Sequence, residues 1–98
     1  MNDKYYSRLA INLILTRENN NGEKEILLQL RQNTGYMDNI YDFACSGHVE
    51  KNESFSMALV REAKEEIGIT LDERDLVFLA INHDYQQDHV QVYFTTNK

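Results

Sequence analysis

The sequence predicts a single α+β domain in which strands precede and follow one helix along the chain. Two observations predict this class: apolar residues alternate with other residues in segments towards both ends, and an apolar stripe of helical spacing lies between them. A chain of 98 residues has room for one domain, so we expect residues 1–98 to fold as one unit. At this size only about 60–65% of the unfolded chain's surface is buried, so the stability should be modest.

The first strand is predicted over residues 5–16, where apolar residues recur at every second position: Leu9, Ile11, Leu13 and Leu15. Alternation places these side chains on one face of the strand. An Asn-rich polar turn around Gly22 follows, and an extended apolar run resumes at residues 26–32. Together these segments predict a β-hairpin.

A second hairpin is predicted near the other end of the chain, from strands at residues 76–82 and 90–96 that a polar turn connects. Apolar side chains share one face of its last strand: Val90, Val92 and Phe94. A sheet that ended at this strand would leave its edge unpaired and this apolar face uncovered. We therefore expect either a homodimer that forms through the exposed sheet edge or a marginally stable fragment of a longer protein.

Between the hairpins, residues 54–67 predict a helix whose buried face carries charge. Carboxylates continue the apolar stripe at the same spacing, in the order Phe55, Ala58, Leu59, Glu62 and Glu66. Gly68 is well placed to end this helix in a left-handed conformation. The charged positions on the stripe are the first candidate functional residues.

The carboxylates of Glu62, Glu65 and Glu66 converge on one patch of the predicted helix, and each pair repels by about 0.2–0.5 kcal/mol. A hard divalent cation would remove this repulsion, since Mg²⁺ binds carboxylate oxygens together with waters and substrate phosphates. The alternative is a glutamate-rich helix face that water solvates. The three glutamates alone leave both interpretations open.

A longer pattern surrounds these glutamates and favours the metal site. It consists of a Gly, five residues, a Glu, seven residues and then Arg-Glu-aliphatic-x-Glu-Glu-x-Gly-aliphatic, filled here by Gly47, Glu53, Arg61, Glu62, Ala63, Glu65, Glu66, Gly68 and Ile69. This spacing resembles the Nudix box of the MutT-like hydrolases. Ala63 is smaller than the residue usual at its position. The family's common Leu-Pro-Gly-Gly is replaced here by Ala44, Cys45, Ser46 and Gly47.

The resemblance covers nearly the whole chain and implies the Nudix fold, an α/β/α sandwich built around a mixed β-sheet. Members of the family usually continue for some tens of residues after the second hairpin, with further strands and a helix that covers the second face. We therefore expect a Nudix domain that is short at its C-terminal end.

The resemblance also implies a metal-assisted hydrolase site. Four groups would hold Mg²⁺, for which Mn²⁺ can substitute: the carboxylates of Glu62, Glu65 and Glu66 and the backbone carbonyl of Ser46. The expected catalytic residues are Arg61, Glu65 and Glu53. Arg61 would pair with a glutamate and hold it in ligand geometry, and Glu53 would support the ligands or act as general base. The base stays unassigned, because relatives often carry it outside the box.

The implied reaction is hydrolysis of a nucleoside diphosphate linked to another group, such as a nucleoside triphosphate. Arg31 matches a position at which similar Nudix proteins often place a substrate-binding Arg, and the alternative is an exposed cation at a strand end. Tyr36 lies in a polar loop at residues 33–42. It would line a base pocket or pack that loop onto the sheet.

Two other functional classes stay open. A Nudix-fold module that binds a nucleotide or a protein without turnover has no need of all the box residues, so the intact Arg61, Glu62, Glu65 and Glu66 argue against it. A structural fragment with solvated glutamates would show no specific metal site. Fold analogy alone cannot select the substrate.

Composition argues against several other partners. The net charge is −6, from sixteen acidic and ten basic residues, and no basic stripe follows a phosphate backbone, so duplex nucleic acid is not an expected partner. No run approaches the ~18 apolar residues of a membrane span, and residues 1–10 lack the form of a signal peptide. We expect a cytoplasmic protein that does not bind membranes.

Three further residues have reactive side chains but are assigned structural places. Cys45 lies in an apolar run, which favours a small core residue over a nucleophile. His83 and His89 flank the turn of the second hairpin without a third metal ligand nearby, so they are interpreted as solvated turn residues.

Overall fold

The computed structural model describes residues 4–30 and 41–96. In chain order the elements of this part are β1 Arg8–Leu13, β2 Thr16–Glu18, β3 Lys24–Ile26, β4 Leu28–Leu30, β5 Tyr41–Phe43, β6 Cys45–His48, α1 Phe55–Ile67, a short 3₁₀ helix Glu73–Asp75, β7 Leu76–Asp84 and β8 His89–Thr96. The predicted order of strands, helix and strands is confirmed. Arg31 and Tyr36, the predicted substrate-binding residues, lie outside the described residues.

The main sheet has four strands in the order β6-β1-β8-β7. β1 pairs antiparallel with β6 and parallel with β8, and β8 pairs antiparallel with β7. The mixed sheet expected from the sequence is therefore confirmed. β1 lies in the interior of this sheet, which is why its residues from Ala10 to Leu13 are all buried.

The core lies between α1 and one face of this sheet. Its fully or almost fully buried side chains come from β1, β6, α1 and β8: Ile11, Leu13, Cys45, Ala58, Leu59, Ala63 and Val92. Two of the four apolar residues predicted for one face of β1 are thus in the core, and Leu15 packs against it. The small side chain of Ala63 is fully buried, so the helix uses this position for packing.

Helix α1 begins and ends where the sequence predicts. Ser54 has an extended conformation, and its hydroxyl oxygen accepts a hydrogen bond from the Met57 amide at 3.1 Å. Gly68 ends the helix with φ 69°, a left-handed conformation that costs glycine little. In the described part of the chain, no helix is long and apolar enough to cross a membrane.

Removal of this cap gives a first testable prediction. Ser54→Ala leaves the Met57 amide without its side-chain acceptor and should cost about 1 kcal/mol of unfolding free energy. For a domain of this size that lowers Tm by about 4–8 °C. Thermal unfolding followed by circular dichroism measures it. Ser56→Ala, two residues further along the chain, is the control that keeps the bond between the Met57 amide and Ser54. Equal Tm values for wild type and Ser54→Ala would show that the cap contributes nothing.

The first hairpin differs from its prediction in extent. β2 and β3 form an antiparallel hairpin, but the apolar run predicted as one strand over residues 26–32 is divided. β3 ends at Ile26, and β4 pairs instead with β5, with Leu28 opposite Phe43. The Leu27 amide donates to the Leu15 carbonyl between the two ladders. The apolar run therefore pairs with two different strands, β2 through β3 and β5 through β4. Its composition does not indicate this division.

The expectation that the last strand forms an uncovered edge is wrong. β8 lies between β1 and β7, and Val92 is 2% exposed in the core, with Val90 and Phe94 packed against it. Among the described strands, β6 and β7 form the two edges of the sheet, so the edge within the second hairpin is β7. Its side chains include Phe78 and Ile81, which are 57% and 59% exposed.

Candidate active site

The candidate site lies where edge strand β6 meets helix α1. Gly47 of β6 faces Glu62 so closely that a Cβ at position 47 would overlap the Glu62 carboxylate. The side chain of Glu62 is only 16% exposed, so the carboxylate fills space that glycine leaves empty. The first glycine of the box is therefore required for the approach of a helix carboxylate to the sheet edge.

Gly47→Ala should consequently be destabilising. The added methyl group must displace the Glu62 side chain or move β6, and overpacking of this kind costs about 1–3 kcal/mol. Thermal melts of the metal-free protein measure the loss as a lower Tm. The double variant Gly47→Ala/Glu62→Ala removes the atoms that clash, so the penalty of the Gly47 change should shrink in that background. An unchanged Tm for Gly47→Ala alone would contradict the geometry.

Arg61 is the centre of a network that joins α1 to the preceding loop and to β6. Its Nε and Nη2 donate to the two carboxylate oxygens of Glu53 at 2.7 and 3.0 Å. Its Nη1 donates to Glu62 at 2.8 Å and to Glu65 at 3.4 Å. Its Nη2 also donates to the backbone carbonyl of His48 at 3.1 Å. All three guanidinium nitrogens are thus engaged.

The electrostatics of this network separate two of its carboxylates. The hydrogen bonds from Arg61 lower the pKa of Glu53, and the same contact raises the pKa of Arg61. Burial raises the pKa of Glu62, and the charges of Glu66 and Glu65 add to this although Arg61 opposes it. The ionised form of Glu53 is therefore stabilised. The ionised form of Glu62 is destabilised, and a further cation nearby would stabilise it.

Glu66 is directed to β6 and not to Arg61. Its Oε2 accepts a hydrogen bond from the Ser46 backbone amide at 3.3 Å and from the Cys45 thiol at 3.6 Å. Burial, followed by the charge of Glu66, raises the pKa of Cys45 to about 12. A thiol with this pKa is not a nucleophile near neutral pH. The predicted place of Cys45 as a small core residue is confirmed.

The backbone of β6 explains why these contacts occur at its edge. The Leu9 carbonyl accepts from the Val49 amide, so residues 47 and 49 face β1 while Ser46 and His48 direct their amides and carbonyls away from it. The outward amide of Ser46 contacts Glu66, and the outward carbonyl of His48 contacts Arg61. The Ser46 carbonyl shares the outward side with its amide, as the predicted ligand position requires.

The chemistry of these donors suits a hard cation. Every predicted ligand is an oxygen atom, which is the donor that Mg²⁺ and Mn²⁺ prefer, and burial of Glu62 disfavours its uncompensated charge. Among residues 4–30 and 41–96, however, no three acidic, His or Cys side chains are gathered closely enough to hold a metal. The reason is that Glu62 and Glu65 turn to Arg61 while Glu66 turns to β6.

Sequence reasoning missed a row of polar side chains on the sheet face opposite α1. The row runs through Ser46, Asn12, Gln91, His89 and His48, and the Nε2 atoms of the two histidines lie 3.1 Å apart. The interpretation of His89 as a solvated turn residue is wrong, because it is the first residue of β8 and half-buried against the His48 ring. His83 is exposed as expected, but it lies within β7 and not in the turn. An Asn between apolar neighbours in β1 was the available signal.

The mixed sheet and the helix with its Arg and Glu residues are those that the Nudix resemblance implies, and the comparisons with known proteins agree. Residues 7–98 match the NUDIX domain family model. The chain belongs to the Nudix family. It is 30% identical over 94 residues to an 8-oxo-dGTP diphosphatase of Proteus vulgaris, a match that covers 96% of this chain and 78% of that protein.

Solved structures share the fold. A MutT/nudix family protein from Enterococcus faecalis superposes with a TM-score of 0.76 at 22% identity, over 98% of this chain and 38% of that one. The DR0079 protein of Deinococcus radiodurans gives 0.73 at 21% identity, over 94% and 56% respectively. The chain thus spans less than two thirds of either solved relative. At these identities the likeness establishes the fold and not the substrate.

Proposed function

We propose that this chain hydrolyses a nucleoside diphosphate linked to another group, most simply a nucleoside triphosphate, with Mg²⁺ as cofactor. The observation that carries the proposal is the Arg61 network, which ties three box carboxylates and the β6 backbone into one site. A solvated glutamate face would not need a fully engaged, three-quarters-buried guanidinium at its centre. The NUDIX match and the diphosphatase relative support the same class of reaction.

Each group of residues in the site would have a separate role. The carboxylates of Glu62, Glu65 and Glu66 and the Ser46 carbonyl would hold the metal, which when bound supplies neutralisation of phosphate charge and a water of lowered pKa. Arg61 orients Glu62 and Glu65 through its Nη1. Glu53 accepts two hydrogen bonds from the Arg61 guanidinium, and these lower its pKa. A carboxylate with a lowered pKa is a weak base, so we assign Glu53 to holding Arg61 in place and not to the general-base role.

The residues proposed to contact the substrate lie outside the described part of the chain. Arg31 and Tyr36 stay our candidates for substrate contact. The Proteus vulgaris relative is a diphosphatase of 8-oxo-dGTP, so that nucleotide is the first substrate to test. Nucleotides are the proposed partners of this site.

A substrate screen tests the function. The chain is incubated with 8-oxo-dGTP, dGTP, other nucleoside di- and triphosphates and nucleoside diphosphate conjugates, in Mg²⁺, in Mn²⁺ and in chelator. We expect release of phosphate or pyrophosphate from at least one compound with metal and none with chelator. Nucleotide binding without release would establish the alternative of a binding module, and neither binding nor release would overturn the proposal.

The homodimer expected from the sequence stays a prediction. The strand through which it would form is now β7 and not β8. Within residues 4–30 and 41–96, β7 pairs with β8 only and has exposed apolar side chains, which favours pairing between copies, and a Lys in such a strand opposes it. Ile81→Lys should therefore lower the mass measured by sedimentation at low micromolar concentration. Leu28→Lys, at a 47% exposed position of the β4–β5 ladder, is the matched control. A wild-type chain that sediments as a monomer would exclude this association.

A further inference from the structure

Asn12 stands out among the described residues because it is polar, uncharged and only 5% exposed. It lies in the middle of β1, where its register partners are Ser46 on β6 and Tyr93 on β8. A buried amide is costly unless its oxygen and nitrogen both find partners. Its contacts therefore decide what it contributes.

Both ends of the Asn12 amide are engaged by side chains. Its Oδ1 accepts a hydrogen bond from the Ser46 hydroxyl at 2.8 Å. Its Nδ2 donates to the Gln91 Oε1 at 2.9 Å. Gln91 in turn lies 3.4 Å from the His89 ring. The amide is thus fixed in one orientation, with its oxygen directed to β6.

Ser46 connects this buried amide to the candidate site. Asn12 and Ser46 lie directly opposite each other in a pair whose backbone groups do not bond, and such pairs bring their side chains close. The Ser46 side chain is held on one face of the sheet, while its backbone amide reaches Glu66 at the strand edge. The contact between Asn12 and Ser46 therefore constrains the orientation of β6 about its own axis. In that orientation the Ser46 amide is directed to Glu66 of the helix.

We propose that Asn12 is a positioning residue for the metal site, acting through the Ser46 hydroxyl on the Ser46 backbone and Glu66. The inference rests on the proposed function, since Ser46 and Glu66 are two of the proposed ligands. Among the described strands β6 pairs with β1 alone, so a side-chain contact between Asn12 and Ser46 adds a second constraint on the position of β6.

Three variants test the contact from both sides. Ser46→Ala and Asn12→Val each remove the hydrogen bond, whereas Ser46→Thr keeps a hydroxyl. We expect the first two to weaken Mn²⁺ binding about tenfold, as measured by electron paramagnetic resonance, and Ser46→Thr to retain most of the affinity. The double variant Ser46→Ala/Asn12→Val should be no weaker than either single variant, since both remove one contact.

Gln91→Leu is the matched control. It removes the side-chain acceptor of the Asn12 Nδ2 but leaves its bond to the Val92 carbonyl at 3.5 Å and the bond of Oδ1 to Ser46, so it should lower Tm without changing the Mn²⁺ affinity. Equal Mn²⁺ affinity in wild type, Ser46→Ala and Asn12→Val would overturn the inference. If Asn12→Val does not fold, the comparison of Ser46→Ala with Ser46→Thr decides the question.

A second readout does not need metal. In the metal-free protein, the Ser46 amide should exchange its hydrogen about tenfold faster in Asn12→Val than in wild type or Gln91→Leu, as followed by NMR. A wild type that binds no Mn²⁺ would overturn the proposed function, and the amide exchange would still judge the role of Asn12. Unchanged exchange in Asn12→Val would show that the amide does not position β6.

Discussion

Glu66→Gln should abolish most divalent-metal binding and lower turnover by more than about 100-fold, because loss of a ligand exceeds the 10–100-fold cost typical of an outer-shell partner. The neutral amide can still accept from the Ser46 amide, so the packing against β6 is retained. Its oxygen carries too little charge to replace a carboxylate on a hard cation. The expected defect is therefore in metal binding and not in folding.

The metal-free stability of this variant separates a ligand from a structural carboxylate. The charge of Glu66 raises the pKa of Glu62, which means that the two carboxylates repel in the folded protein. Glu66→Gln removes that repulsion, so Tm in chelator should stay unchanged or rise. Glu65→Gln should follow the same pattern.

The control is Glu18→Gln on β2, an exposed carboxylate of the separate β2–β3 ladder. It should leave Mn²⁺ affinity, turnover and Tm close to wild type. Turnover and Mn²⁺ affinity equal to wild type in both Glu65→Gln and Glu66→Gln would remove the metal-site assignment. A large fall in metal-free Tm would instead identify Glu66 as a structural partner of β6.

What the sequence could predict depends on how local each feature is. The helix, its Ser54 cap and its Gly68 end follow from neighbouring residues, and so does the grouping of Arg61 with the helix glutamates. These features are set by a spacing of three or four residues, which the sequence displays directly. The span of the helix, its Gly68 end and the position of Arg61 beside the glutamates were predicted, whereas the cap by Ser54 was found only in the structure.

Pairing between distant strands could not be derived in the same way. The parallel contact of β1 with β8 joins residues about eighty positions apart, and nothing local in Val92 indicates that it lies between two strands. The sequence likewise places Asn12 on the less apolar face of a predicted strand. In the structure β1 lies between β6 and β8, and the side chains of Ser46 and Gln91 from these strands contact Asn12 and help to bury it. The row from Ser46 to His48 exists only after this pairing.

The choice of partners by charged side chains was only partly predictable. The motif places Arg61 beside glutamates, but it does not say that Glu53 takes two of its hydrogen bonds from across the loop. The same Nη2 also donates to the His48 carbonyl, which places this end of the guanidinium at the edge of β6. Side-chain geometry of this kind depends on the assembled sheet.

Arg61→Lys should lower turnover by about 10–100-fold although the positive charge is retained. The guanidinium uses three nitrogens to reach Glu53, Glu62 and the His48 carbonyl at once. An ammonium group is a single nitrogen on a flexible stem and cannot hold two oxygens of Glu53 in a plane while reaching the others. The substitution would therefore disturb the orientation of the glutamates while leaving the net charge of the network unchanged.

An exposed pair provides the matched control. Arg17 donates to Glu25 at 2.7 Å, as short as the bond from Arg61 to Glu53, but the Arg17 side chain is 81% exposed. Exposed ion pairs contribute little, so Arg17→Lys should leave turnover and Tm within error of wild type. The comparison separates the loss of a guanidinium as such from its loss at the centre of the network.

The pH dependence adds a readout that a general loss of packing would not give. The folded-state pKa of Glu53 is lowered by Arg61, so its contribution to stability is full above the ordinary glutamate pKa of about 4.3 and disappears as pH falls through the lowered value. In Arg61→Lys the pKa of Glu53 should return towards its ordinary value, and the acid limb of the Tm–pH profile should flatten. Wild-type turnover together with an unchanged acid limb would show that charge alone is needed at position 61.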